Sequence, residues 1–192
     1  MLDNLDKYDI VLASKSPRRQ ELLSGLNINF RVENVDCDER YPENLKAEQI
    51  PVYIAKLKTE AYKNLMTDNT LLITADTIVW SDGKVFGKPA DRQHATEILK
   101  ALSGKEHQVI TGVCVSTVNK QADFFTVTNV KFAELSEDEI NYYLDNYKPY
   151  DKAGAYGIQE WIGYVGVEGV QGSFYNVMGL PIQRLYQELK IF

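Results

Sequence analysis

Cysteine and histidine are scarce in this chain, and positive charge is in the minority. The two cysteines, Cys37 and Cys114, stand alone with no CxxC spacing, which argues against a disulfide framework or a thiolate metal site. The two histidines, His94 and His107, do not share a helical face, so a zinc centre finds no ligand set. Lysine and arginine total 21 against 27 acidic residues, a formal charge of −6. That balance argues against non-specific binding to nucleic acid or to an anionic membrane surface. A polyphosphate ligand would be repelled overall and would need local arginines, lysines or a metal ion to hold it. No apolar run approaches the roughly 18 residues of a membrane helix. The first ten residues carry three aspartates where a leader would have an apolar core, so the expectation is a cytoplasmic protein. There is no repeat and no low-complexity tract. Gly163, Gly166, Gly169 and Gly172 lack the GxGxxG spacing that opens a dinucleotide-binding helix and suit turns and bulges instead. What is present is 192 residues, 44% apolar, enough for one substantial core or two lobes sharing a cleft.

The most informative stretch is Ala13-Ser14-Lys15-Ser16-Pro17-Arg18-Arg19, directly after the apolar run Tyr8–Leu12. It places hydroxyls and two guanidinium groups where a strand hands over to a helix. Ser16 suits the N-cap, and Pro17 suits the first helical position, where its missing N–H costs nothing. Two arginines in a first turn oppose the helix dipole. They match an anion, because backbone N–H groups and forked donors converge there on phosphate oxygens. The alternative is a plain strand–turn–helix with two solvated arginines.

Strand and helix patterns then alternate. A strand near Asn29–Val32 leads to an acidic loop, Asp36–Pro42, and a helix from about Pro51 carries Val52, Ala55, Leu57, Ala61, Tyr62 and Leu65. Leu71–Ala75 reads as a short buried strand closed by Asp76, and Thr77–Trp80 pairs with Lys84–Phe86 across Ser81-Asp82-Gly83. Asp91 caps a helix ending at Ser103-Gly104, and His107–Val118 with Asp123–Phe132 form a long antiparallel pair. Ser136 with Glu139 makes a capping box, and Pro181 opens a terminal helix with Leu185 and Leu189 inside. The expectation is an α/β fold with a central mixed β-sheet flanked by helices. Asp76 stands out, since a carboxylate at the end of a buried strand is costly unless it is paired or used; a cap or turn aspartate is the alternative.

Six segments in order resemble the Maf family of nucleotide pyrophosphatases: the opening motif, Ala75–Val79, Gly87-Lys88-Pro89, Leu102–Lys105, Asp151–Gln159 and Gly179-Leu180-Pro181. The form DKAGAYGIQ is similar to the branch that prefers dTTP and UTP, rather than the branch acting on 7-methyl-GTP. The resemblance implies one domain over 1–192, with two lobes around a cleft as in the inosine triphosphate pyrophosphatase architecture. It also implies hydrolysis of a nucleoside triphosphate to monophosphate and pyrophosphate with Mg²⁺ or Mn²⁺, and it leaves a homodimer open. Asp76 matches the family's catalytic aspartate, a general base for water. Glu39 aligns with an acidic position that would bind metal, alone or with Asp76, although acidic loops are usually just solvated. Arg18 and Arg19 match phosphate-binding arginines, with Ser14 and Ser16 beside them, and Lys58 and Lys88 match lysines facing the substrate. Arg18, Thr77 and Gln159 match positions that choose the base. An amide such as Gln159 suits the O4 and N3–H edge of uracil or thymine. Two departures from the family pattern are Thr59, where alanine is common, and the aromatic positions of Gly172–Asn176. Two competing readings are a nucleotide-responsive regulator tied to septum formation and cell division, and a phosphate-binding domain acting on phosphosugars.

Overall fold

Aliphatic runs set the strands of this chain, and capping residues set the helices between them. The structure is a computed structural model that describes residues 2–192. Its elements in order are β1 (Asp9–Ala13), α1 (Pro17–Ser24), β2 (Arg31–Glu33), α2 (Gln49–Tyr62), β3 (Thr70–Ser81), β4 (Lys84–Phe86) and α3 (Arg92–Leu102). There follow β5 (Glu106–Ser116), β6 (Gln121–Phe132), α4 (Glu137–Tyr147), α5 (Trp161–Val165), β7 (Val167–Gln171), α6 (Phe174–Met178) and α7 (Ile182–Leu189). Pro17 is the first residue of α1. Pro51 sits in the first turn of α2, where an N–H is not needed. The Asp91 carboxylate accepts the His94 N–H at the start of α3, and the Ser136–Glu139 capping box forms at α4. Leu185 and Leu189 are the buried stripe of α7.

The strands join one mixed sheet in the order β2-β1-β3-β5-β6-β7, with β4 on β3. β1 pairs parallel with β2 and β3, whereas β4 pairs antiparallel with β3 and β7 with β6. The hairpin of β3 and β4 turns at Asp82 and Gly83, both at positive φ, which is the conformation a two-residue turn of this hand needs. Among the described residues no helix is long and apolar enough to cross a membrane.

Two expectations are corrected here. Asp76 does not close a short strand: β3 runs unbroken from Thr70 to Ser81, so Asp76 lies in its interior. The carboxylate is tolerated because a lysine meets it, as described below, and the run Thr77–Trp80 is the continuation of the same strand. The Ser16 hydroxyl is also not a cap in the expected sense. Ser16 occupies the N-cap position without a side-chain bond to the helix, and its N–H instead donates to Ser14 Oγ at 3.3 Å.

The chain divides into two units. The first takes in the residues up to Asp76, Thr111–Thr126 and Gly179–Phe192, and the second Thr77–Ile110 and Val127–Met178. In the first unit, Val11, Ala13, Leu72 and Tyr62 pack together with Val35 and Met66 against them, so α2 lies on β1 and β3. In the second, Phe132, His107 and Tyr156 form an edge-to-face ring cluster with centroids 4.8–5.5 Å apart, and Ile140, Tyr143 and Leu144 bury the inner face of α4.

Candidate active site

In the first unit two buried threonines fix the register that matters. Thr74 Oγ1 donates to the Ala55 carbonyl at 2.7 Å and lies 2.9 Å from Thr59 Oγ1, which locks α2 onto β3. Thr59, the position noted as departing from the family pattern, thus has a structural partner. Thr74 and Asp76 share one face of the strand, two residues apart, and Lys58 precedes Thr59 on the helix. The lock therefore delivers Lys58 to Asp76: Nζ lies 2.9 Å from Asp76 Oδ1 and 3.0 Å from Glu39 Oε1. The Lys58 and Asp76 side chains are 11% and 15% exposed, against 51% for Glu39. One ammonium on α2 gathers a strand carboxylate and a loop carboxylate.

Of the two arginines of the opening motif, Arg19 is tied to backbone carbonyls. Arg19 Nε donates to the Gly179 carbonyl at 2.7 Å and Nη1 to the Ala75 carbonyl at 2.8 Å, with Ser14 Oγ at 3.4 Å. Its guanidinium thus ties α1 to the backbone beside Asp76 and to the Gly179-Leu180-Pro181 motif. Burial lowers the Arg19 pKa, and the Asp76 and Glu39 carboxylates act in the opposite sense. Arg18 is half-buried next to it, and Ser14 is buried with its oxygen accepting from the Ser16 N–H.

Glu39 Oε1 and Asp76 Oδ1 both approach within 3.0 Å of one point, the Lys58 ammonium. The point on which they converge is filled by the ammonium; as donors, hard carboxylate oxygens are of the kind Mg²⁺ takes one or two of, completing its shell with water and substrate phosphates. Among the described residues no group of three or more His, Cys, Asp or Glu side chains forms a cage. The donor set therefore fits a cation shared with phosphate and does not fit an all-protein metal site. Cys37 and Cys114 are free thiols, both raised in pKa by burial.

In the second unit the remaining candidates sit on the stretches Thr77–Pro89 and Lys152–Gln159. The Gly154 N–H donates to the Gly87 carbonyl at 3.1 Å, which joins the segment carrying Lys88 to the segment carrying Gln159. Lys88 is exposed and Thr77 half-buried. Gln159 is half-buried as well, yet its Oε1 is buried and has no hydrogen-bond partner among the described residues. Around it lies a polar network that the sequence did not single out. Lys152 Nζ lies 2.8 Å from Asp151 Oδ1 and 3.0 Å from Glu160 Oε1, Tyr143 OH donates to Glu160 Oε2, and the Gly157 N–H donates to Tyr143 OH at 3.0 Å. Tyr156 OH meets His107 Nε2 at 2.8 Å. The sequence signal for this network is that Lys152 is the second residue of the Asp151–Gln159 motif and Glu160 follows it directly; Tyr143 comes from α4.

The family model described as Maf-like protein matches residues 9–192. The chain belongs to the Maf family. Three Maf relatives named dTTP/UTP pyrophosphatase match it nearly end to end. That of Parabacteroides distasonis is 63% identical over 100% of both chains, and that of Bacteroides fragilis strain YCH46 is 60% identical over 99% of both. That of Porphyromonas gingivalis strain ATCC 33277 is 57% identical over 100% of this chain and 98% of its own. Among solved structures, the Staphylococcus aureus Ham1 protein overlays with a TM-score of 0.49 at 14% identity, covering 66% of this chain and 72% of that one.

Proposed function

We propose that this Maf protein hydrolyses nucleoside triphosphates, dTTP and UTP ahead of other bases, to the monophosphate and pyrophosphate. Its support is the end-to-end likeness to relatives that carry that name together with the charge arrangement at Asp76. The single observation that carries the chemistry is the Asp76 carboxylate, mostly buried and held at 2.9 Å by Lys58. In this reading the Asp76 oxygen not engaged by Lys58 accepts a proton from water as the water oxygen bonds to the α-phosphorus. The bond from that phosphorus to the bridging oxygen breaks, and pyrophosphate leaves with the electron pair. Arg18, Ser14 and Ser16 bind phosphate oxygens at the start of α1, and Lys88 is a further candidate for phosphate binding. Arg19 holds the Ala75 carbonyl and so the strand position next to the base.

Glu39 and Asp76 would hold a divalent cation together with the phosphates. Bound there, Mg²⁺ or Mn²⁺ supplies charge neutralisation on the transferring phosphoryl group. Lys58 keeps the two carboxylates, which would otherwise repel, gathered at one point. The Gln159 Oε1, buried and without a hydrogen-bond partner among the described residues, supplies an acceptor for the N3–H of thymine or uracil, and Thr77 and Arg18 are further candidates for the choice of base.

The experiment is product analysis. Incubation with dTTP and Mg²⁺ is expected to release dTMP and pyrophosphate in equal amounts. Release of inorganic phosphate and dTDP would contradict the reading, and tight nucleotide binding without turnover would favour a regulator instead. Hydrolysis indifferent to the base would favour a general phosphate-binding domain.

A further inference from the structure

Gln159 occupies a tightly specified place. The Glu160 N–H donates to the Gly157 carbonyl at 2.9 Å, so residues 157–160 form a turn with Ile158 and Gln159 at its centre. The two ends of that turn are joined a second time through one phenol. The Gly157 N–H donates to Tyr143 OH at 3.0 Å, and Tyr143 OH donates in turn to the Glu160 carboxylate. Lys152 Nζ, with its side chain only 9% exposed, holds the other Glu160 oxygen at 3.0 Å. Tyr143 itself cannot wander: its ring is fully buried and stacks on Tyr147 with centroids 5.2 Å apart. The space inside the turn is filled, because a Cβ added at Gly157 would come within 2.9 Å of Glu160 Cδ and 3.0 Å of Lys152 Cε. A turn closed by a backbone bond, a phenol and an ion pair is far more constrained than an ordinary loop.

Rigidity of that kind is useful where an amide must read a base edge. A hydrogen-bonding site discriminates only if its donors and acceptors stay within about 0.5 Å of the productive geometry, and the residue in the middle of this turn carries a buried acceptor with no hydrogen-bond partner among the described residues. We infer that Tyr143 and Glu160 are positioning residues for base selection, fixing the turn so that the Gln159 amide discriminates uracil and thymine from cytosine. This rests on the reading of Gln159 given above. It makes Tyr143, on a helix outside every motif of the family pattern, a determinant of specificity that acts without touching substrate.

The test compares kcat/KM for dTTP and dCTP in Tyr143→Phe, Gln159→Ala and the double variant, all well below their melting temperatures. Tyr143→Phe keeps the ring and its stack and removes only the hydroxyl. It is expected to lower the dTTP to dCTP ratio about 10-fold, the size of one neutral hydrogen bond, through a higher KM for dTTP with kcat kept within about twofold. The double variant should be no less selective than Gln159→Ala alone, since both changes act on one amide. A purely structural role would lower the melting temperature and leave the ratio untouched. Such a result for Tyr143→Phe, with Gln159→Ala collapsing the ratio, would overturn the inference and leave the reading of Gln159 standing; additive losses in the double variant would overturn it too. No effect of Gln159→Ala on the ratio would instead remove the reading of Gln159 itself. Should Tyr143→Phe not fold, Glu160 carries the same comparison. Glu160→Gln retains an acceptor for the phenol and should keep the ratio within about twofold of the parent, whereas Glu160→Ala should lower it as Tyr143→Phe does. Equal selectivity in the two Glu160 variants would overturn the proposal.

Discussion

The charge cluster at Asp76 and the turn that carries Gln159 hold polar groups in opposite ways. At Asp76 the groups are ionic and sit at the junctions of four segments: a strand, a helix, a loop and the start of α1. Lys58 answers two carboxylates at once, and one of them, Glu39, is half-exposed. Around Gln159 the bonds run mostly within one short segment plus one phenol: Tyr143, Glu160, Lys152 and the Gly157 N–H are linked to one another, while the amide oxygen has no hydrogen-bond partner among the described residues. The first arrangement keeps charges that a triphosphate and a cation can redistribute. The second fixes a shape and leaves one acceptor to be filled. Chemistry and selectivity should accordingly fail separately under mutation.

The largest separation is expected from Asp76→Asn. An amide keeps the shape and the contact with Lys58 but cannot take the proton from water, so kcat for dTTP should fall about 10²–10⁴-fold while the dTTP to dCTP ratio is preserved. Steady-state pyrophosphate release checks both. A loss below tenfold would break the assignment of the base.

Lys58→Met comes next. It leaves Asp76 and Glu39 facing each other without their shared cation, and loss of one charge-assisted contact of about 1.5–3 kcal/mol corresponds to roughly 10–150-fold in kcat/KM. Selectivity should again be unchanged. An effect confined to the ratio would erase the proposed division.

Arginine substitutions sharpen the comparison within the cluster. Arg19→Ala removes one donor from each of the Gly179 and Ala75 carbonyls, at about 1–3 kcal/mol in stability, and should lower both the melting temperature and activity. Lysine at that position should not rescue it, because a single ammonium cannot reproduce the fork. Arg18→Ala should weaken triphosphate binding with little change in melting temperature. Thermal unfolding beside KM measurement separates the two, and identical behaviour would mean that Arg19 is not the clamp.

Much of this was legible in the sequence wherever the cause was local. The strand–helix junction at Ser14–Arg19, the Asp82-Gly83 turn, the Asp91 cap and the Ser136–Glu139 box all rest on residues within a few positions of one another, and all formed. Asp76 stands out in the sequence as a carboxylate at the end of an apolar run, but its place inside β3 depends on a lysine from α2, and that pairing depends on Thr59 meeting Thr74. The sequence marks Arg19 as a phosphate ligand, and nothing nearby in sequence shows that its guanidinium also meets the carbonyls of Ala75 and Gly179. Tyr143 looked like one more aromatic on the buried face of α4; its hydroxyl gains meaning only when the fold brings Gly157 and Glu160 to it. Periodicity reports which side chains are buried, not which polar tip meets which.

A smaller effect concerns pH. Burial lowers the His107 pKa to about 4 from the ordinary value near 6.5. The unfolded chain therefore binds the proton that the folded chain refuses between those values. Stability is retained above about pH 6.5 and lost as pH falls toward 4, by an amount on the order of 3 kcal/mol at most. His107→Gln should flatten the fall in melting temperature between pH 7 and pH 5, and an unaltered slope would show that His107 is not the group responsible.

The most direct measurement is the pair of kcat/KM values for dTTP and dCTP in the unmodified protein and in Gln159→Ala, with pyrophosphate as the readout. The unmodified protein should favour dTTP at least about tenfold, because cytosine reverses the donor and acceptor pattern and leaves the amide mismatched, and Gln159→Ala should bring the two values together mainly by slowing dTTP. Equal values in the unmodified protein would contradict the account.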